Sequence, residues 1–509
     1  MARVKLAAVV LLVVLAGCSV PGALDEFDDD REPGQIGHYA YDDVFEFDGS
    51  EGLTESELEA VKYRAMARIE VIRGLQFDHD VDLEVIDRSE YRTQRGESPA
   101  ASAVENELWR GLFIIDGETD VNEARDALYG GAVQGYYTSD RIVIVTDDTD
   151  EIRINRDTLV HELVHALQDQ HFGLERTGET LDAQRAETSL IEGEANYLPY
   201  LYAERCDDDW QCLPDPAGPA ESELEADDEV EEVDTVDDPA DADDAETADE
   251  LSGQPFNVGL FLSIYAPYSE GPAFVEALHD RDSDWSAVDR AYDDRPASTS
   301  QVIHPDRYPD DEPVDVTIPD RSSDDWEPVT VGDELLENET VGEATLFGAL
   351  WTNGAIDRPL TAGATTLSPY NYSAPATDGW AGDTFQVYHD ADNENRTGHV
   401  WELAWERPAD AEDFADAYRT VLETNDAEQV DDATGETYRI ADGDAFAGAY
   451  RLAVSGDTVT IVGAPTVDDL EGIHASDSAA PSALAGSHSS PSAAPATAAP
   501  SMASPMADG

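Results

Sequence analysis

The sequence predicts an α+β chain of two folded units, and three observations predict it. Helical apolar spacing and short strand patterns share residues 51–325, whereas strand patterns dominate 326–470. A hydrophobic fraction of 41% over 509 residues is enough to build more than one core.

Residues 18–50 are acidic, carry Gly and Pro, and read as a stalk. Order is expected from Thr54, which makes a capping box with Glu57. Leu58, Val61, Ala65, Ile69 and Ile72 follow at helical spacing. Val81-Asp82-Leu83-Glu84-Val85 alternates as a strand, and a helix is expected around Glu105–Phe113. Gly135-Tyr136-Tyr137 leads into Arg141-Ile142-Val143-Ile144-Val145, a β-branched run that reads as a strand. Two helices follow, over Thr158–His171 and Ala183–Ala203. Residues 214–252 are Pro- and acid-rich with few aromatics, the composition of a disordered insertion. Helical patterning resumes in two stretches, Phe256–Ala266 and Pro272–Leu278. A separate α+β unit is expected over 326–470, with strands at Phe385–Tyr388, Val400–Trp405, Thr437–Ile440 and Val459–Val462. Its helix is expected at Ala409–Leu422. The Ala/Ser/Pro-rich end, 471–509, reads as disordered.

The chain holds 113 Asp and Glu against 29 Lys and Arg, a formal net charge of −84. Only Lys5 and Lys62 are lysines. The stretch Glu221–Glu250 contains 17 acids and no base, so the rest of the chain keeps −67. Nucleic-acid binding needs a cationic footprint, which this composition excludes. Such self-repulsion is tolerable where molar salt shortens the Debye length to roughly 3 Å. The charge therefore reads as adaptation to brine.

Arg3 and Lys5 precede an apolar run, Leu6–Ala16, of signal-peptide length and too short to span a bilayer. It ends in Leu15-Ala16-Gly17-Cys18, which resembles the lipobox of secreted lipoproteins. The resemblance implies that residues 1–17 are removed and that Cys18 carries a lipid anchor on the outer face of the membrane. In an exported chain the remaining cysteines, Cys206 and Cys212, are expected to form a disulfide loop. A zinc site built on that pair would lack a nearby His. Sequons at Asn338, Asn371 and Asn395 are compatible with an outward-facing later region.

The chemistry-bearing segment is His161-Glu162-Leu163-Val164-His165. Histidines at i and i+4 stand one turn apart on one helix face and can share a Zn2+ ion. The Glu beside the first can then serve as general base toward a water. A third ligand is needed. His171 lies ten residues after His161, the third-ligand spacing of the metzincins, but Gln168 holds the place of their Gly. Nor does any of Met1, Met66, Met502 and Met506 suit their Met-turn. The alternative is Glu192, in Leu190-Ile191-Glu192-Gly193-Glu194-Ala195-Asn196, with Glu194 about 200° around the helix from it.

His161 to Asp169 resembles the His-Glu-Leu-x-His-Ala-x-x-Asp motif of the thermolysin-type gluzincins. That resemblance implies a zincin-like domain over 51–325: an edge strand, the HExxH helix, and a later helix supplying Glu192 as ligand. It implies further that 141–145 is the edge strand that binds substrate backbone. Glu162 is then the catalytic base, with His304 or Tyr308 as stabiliser of the developing oxyanion. Asp169 and Asn196 are expected behind the metal histidines; the family carries an acid at the place of Asn196. A wider resemblance, to exported HExxH proteins including surface proteins of halophilic archaea, rests on His165–Phe172, Glu192-Gly193, Ser298-Thr299, Ile303-His304-Pro305, Tyr308 and Asp378–Asp383. The expected activity is zinc-dependent hydrolysis of a peptide or protein substrate at the cell surface. The alternative is a non-catalytic surface protein whose zinc is structural and which binds peptides or a partner.

Overall fold

In the computed structural model the described residues are 27, 31–49, 52–96, 98–132, 134–138, 141–146, 152–214, 256–331, 334–335, 339–431 and 433–476. The leader with Cys18, Asn338, all but the first residue of the expected insertion and the tail from 477 lie outside them. The described residues form a mixed α+β structure.

Strands β1 (Gln35–Ile36) and β2 (Tyr39–Ala40) form a small hairpin. It lies where a stalk was expected. Ile36 is buried, and Arg31 pairs with the buried Glu70 of the next helix, so residues 31–49 belong to the globule. That helix, α1 (Glu55–Arg73), starts with the expected Thr54–Glu57 capping box and ends on Gly74 at φ 81°. Then come β3 (Asp82–Asp87), α2 (Arg88–Arg95), α3 (Ala103–Gly111), α4 (Val121–Ala132), β4 (Gly135–Thr138) and β5 (Arg141–Thr146). The sheet order is β3-β5-β4, with β3 parallel and β4 antiparallel to β5. The run 141–145 is therefore the central strand, and the antiparallel edge is β4. A β-branched run covered on both sides satisfies a central position; the shorter Tyr-containing strand takes the rim.

Helix α5 (Arg156–Phe172) is capped by Asn155, whose side chain accepts from the amides of Asp157 and Thr158. Leu159, Leu163, Val164 and Leu167 bury it against Ala65, Met66 and Ile69 of α1 and Ile142 and Ile144 of β5. Helix α6 (Leu181–Asp208) runs beside it, and the Cys206–Cys212 disulfide ties its last turn to the segment that follows. Helix α7 (Val258–Asp282) lies along α6 as one helix containing Pro267 and Pro272, where two stretches were expected. Most of the residues around both prolines are buried, and packing against α6 outweighs the missing backbone donors. Short helices α8 (Ser286–Asp293) and α9 (Thr299–Ile303) close this layer.

The later strands are β6 (Trp326–Pro328), β7 (Thr330–Val331), β8 (Glu334–Leu335), β9 (Trp380–Asp390), β10 (Asn393–Trp405), β11 (Glu428–Gln429), β12 (Glu436–Ile440), β13 (Gly448–Ser455) and β14 (Thr458–Ala464). Helices α10 (Gly342–Thr352), α11 (Pro408–Thr424) and α12 (Val467–Ile473) accompany them. Seven strands make an antiparallel sheet, β11-β12-β13-β14-β10-β9-β6. This part was expected to stand apart; it does not. Its core takes in Trp109 to Ala124 and Leu260 to Ala266 from the earlier part, alongside Phe347, Trp401 and Phe414. Helix α3 docks on β10 through the buried Glu107, which binds the buried His399 Nδ1 at 2.7 Å and Arg110 at 2.8 Å. Such pairing and satisfaction is what a buried charge requires. Residues 471–473, expected within the disordered tail, belong to α12, which buries Leu470 and Ile473.

Candidate metal centre

Helices α5 and α6 bring three ligand atoms to one point. His161 Nε2 lies 3.0 Å from His165 Nε2, and Glu192 Oε2 lies 3.3 Å from the first and 3.5 Å from the second. The two imidazoles stand edge to face. Ligands about 2.0–2.1 Å from a tetrahedral ion stand roughly 3.3–3.4 Å from one another, and these separations bracket that. Glu192 Oε2 is buried and accepts no well-formed hydrogen bond, which suits an atom reserved for a cation. The three residues could hold a metal ion, with an approach left open from the cleft.

Electrostatics agree with the geometry. Burial pulls His165 down, but the Glu192 carboxylate outweighs it and pushes His165 up to about 9. Burial would raise Glu192, but His165 and His161 hold it below the ordinary carboxylate range. Glu162 is buried, and burial raises its carboxyl against the pull of the two histidines. A buried carboxyl with raised proton affinity beside the cluster is placed to accept and return a proton.

The cluster forms the floor of a cavity of about 840 Å³. Gly135, Tyr136 and Tyr137 of the edge strand β4 line one side, and Phe261, Tyr265 and Tyr268 of α7 line another. Phe261, Tyr265 and Tyr268 stack in series, with centroids 5.0 and 5.8 Å apart. Among the described lining residues there is no Lys or Arg. The backbone amide of Tyr137 faces the Glu162 carboxylate, so the edge strand addresses the base directly.

Several expected site residues lie elsewhere. His171 is on the far side of the helix end, bound to the Gln76 carbonyl at 2.7 Å, because ten residues of unbroken helix carry it away from His161. His304 Nε2 contacts Glu343 at 3.0 Å, and the Tyr308 hydroxyl donates to the Asp294 carbonyl at 2.6 Å; neither lines the cleft. Asp169 accepts from the Tyr137 hydroxyl at 2.8 Å, tying α5 to the edge strand rather than backing a histidine. Asn196 lines the cleft, but its amide donates to the Glu192 carbonyl one turn back at 2.7 Å.

Behind His165 stands a residue that sequence reasoning passed over. Gln168 Oε1 lies 2.9 Å from His165 Nδ1. Glu194 faces away from the cluster, as its position around α6 predicts, and is held by Arg73, Tyr292 and Gln168. Only the i, i+3 spacing of His165 and Gln168 could have signalled the first contact.

Residues 330–474 match a family described as a domain of unknown function (DUF8575). That stretch runs from β7 to α12 and leaves out the cluster on α5 and α6. No curated protein and no solved structure matches the chain. Among the described residues no helix is long and apolar enough to cross a membrane.

Proposed function

We propose that this chain is a zinc-dependent peptidase, exported and tethered outside the cell by a lipid on Cys18, acting on peptide or protein substrates. The observation that carries the reading is Glu162. It is a buried carboxyl with a raised proton affinity, beside a convergent His161, His165, Glu192 set, on the floor of an open cleft. The order of parts supports a zincin-like reading of 51–325: antiparallel edge strand, HExxH helix, Glu-bearing helix.

A zinc ion held by His161, His165 and Glu192 would supply Lewis acidity toward the scissile carbonyl. An extended substrate would add along the side of β4 away from β5. Glu162 would take the proton of the attacking water and pass it to the departing amine. Tyr137 steadies both ends of this arrangement, through its amide toward Glu162 and its hydroxyl on Asp169. The aromatic wall on α7 would exclude water on the opposite side. A purely structural zinc site is closed by four protein ligands and has no use for a base; three ligands facing a cavity speak for catalysis.

The test is cleavage of a mixed peptide library in molar salt by wild type and Glu162→Gln. The reading expects cleavage by wild type and at least a hundredfold loss in Glu162→Gln with zinc retained. No cleavage by zinc-loaded wild type would sink it.

A further inference from the structure

The cluster has a second layer, and its hydrogen-bond polarity can be read without ambiguity. Gln168 is 2% exposed and offers one acceptor oxygen and two amide protons. Its Nε2 sits 2.9 Å from the Ile191 carbonyl, 3.2 Å from Glu194 Oε2 and 2.8 Å from the Tyr292 hydroxyl. A carbonyl and a carboxylate can only accept, so the nitrogen must face them. The oxygen must then face His165 Nδ1, 2.9 Å away. An amide oxygen cannot donate, so Nδ1 carries the proton, which leaves Nε2, on the side of His161 and Glu192, as the nitrogen able to bind a metal. Glu194 is paired with Arg73, 2% exposed at the end of α1, which also reaches Asp289 at 2.6 Å.

We propose that Gln168 is the positioning residue for metal binding at His165, set in polarity by Glu194 and Arg73. The chain Arg73–Glu194–Gln168–His165 passes from α1 through α6 to α5 and dictates the tautomer of one ligand. It divides the labour of two acids two residues apart: Glu192 faces the ion, and Glu194 orients the amide behind it. It also leaves Asn196 without a part in ligand orientation. The inference rests on the metal-binding reading above, and it concerns affinity for the ion rather than turnover.

The experiment is competition for Zn2+ against a chromogenic chelator in molar salt, on the full mature chain, with the thermal midpoint of each metal-free variant recorded. Gln168→Met removes the acceptor at similar volume and is expected to bind Zn2+ about 10–100-fold more weakly. Gln168→Glu keeps an acceptor for Nδ1–H and takes up a proton on the side facing Glu194; it is expected within about threefold of wild type. Asn196→Ala is expected within about twofold, since its amide only closes a helix turn. A midpoint that falls in Gln168→Met while affinity holds would mark a merely structural role and overturn the proposal. So would equal losses in Gln168→Met and Gln168→Glu, or a larger loss in Asn196→Ala. If wild type itself takes up no Zn2+, the metal reading falls and this proposal with it; if wild type binds and Gln168→Met binds equally, only this proposal falls.

Discussion

Gly193, the residue after the Glu192 ligand, marks where α6 and α7 touch backbone to backbone. A Cβ built there would stand 2.4 Å from the Gly271 carbonyl oxygen and 3.0 Å from Gly271 Cα. The reverse contact is as tight, a Cβ on Gly271 meeting the Ser189 carbonyl oxygen at 2.3 Å. Ordinary contact begins near 3.4 Å, so Gly193→Ala needs about 1 Å of helix separation, and no flexible side chain is there to yield. Overpacking of this kind costs roughly 3 kcal/mol, the upper end of its usual range, because both partners are backbone. Replacing Gly by Ala inside a helix returns about 1 kcal/mol, leaving a net loss near 2 kcal/mol. For a chain of this size that is a midpoint lower by a few degrees. The same displacement shifts Glu192 against histidines on a different helix, so zinc affinity should fall at least tenfold. Calorimetry and chelator competition on Gly193→Ala in molar salt read both quantities. A variant as stable as wild type, with unchanged affinity, would refute the close helix contact and the claim that it positions Glu192.

Three further outcomes follow from the same structure. Arg73→Leu leaves Glu194 buried with Tyr292 and Gln168 alone, and should lower unfolding free energy by about 3–5 kcal/mol in denaturant titration. Burial raises Asp182 to about 7, with Thr299 opposing and Asp383 and Glu343 adding, and burial likewise raises Glu270 to about 7. Each folded carboxyl holds its proton more tightly than an unfolded one near 4, so its contribution to stability falls from about pH 4 to pH 7 and is level above. Glu270→Gln, which keeps an acceptor for Tyr372 and Ser368, should therefore gain on wild type across that window, by order 3 kcal/mol, and no further beyond it; a constant difference would contradict the assignment. Lowering salt from molar to about 0.1 M lengthens the Debye length from roughly 3 to 10 Å, so the thermal midpoint should drop with charge repulsion, and an unchanged midpoint would contradict the halophilic reading.

Much of what places the site is local and therefore readable in the chain. The Thr54–Glu57 box and the one-turn spacing of His161 and His165 are short-range rules, and each stands in the structure where those rules put it. The helical angle between Glu192 and Glu194 likewise separates their roles. What was not readable depends on tertiary partners. Residues 31–49 look like a linker until Arg31 meets Glu70. Two prolines suggest a break in α7 that contact with α6 overrides. The gluzincin resemblance puts the substrate-binding edge at 141–145, the strand before the HExxH helix, and only pairing shows β4 outside it. His171, His304 and Tyr308 had suitable chemistry and motif neighbours, but their directions depend on helix continuity and on carbonyls distant in sequence. Gln168 carried no signal beyond its i, i+3 spacing from His165, because a buried amide earns its meaning only from the groups at both of its ends.

The central claim is that His161, His165 and Glu192 hold one metal ion that the chain was built to carry. The most direct measurement is zinc stoichiometry, by elemental analysis after dialysis in molar salt, on wild type, Glu192→Ala and His171→Ala. The account predicts one zinc per chain in wild type and in His171→Ala, and none retained in Glu192→Ala. Zinc kept by Glu192→Ala and lost by His171→Ala would contradict it.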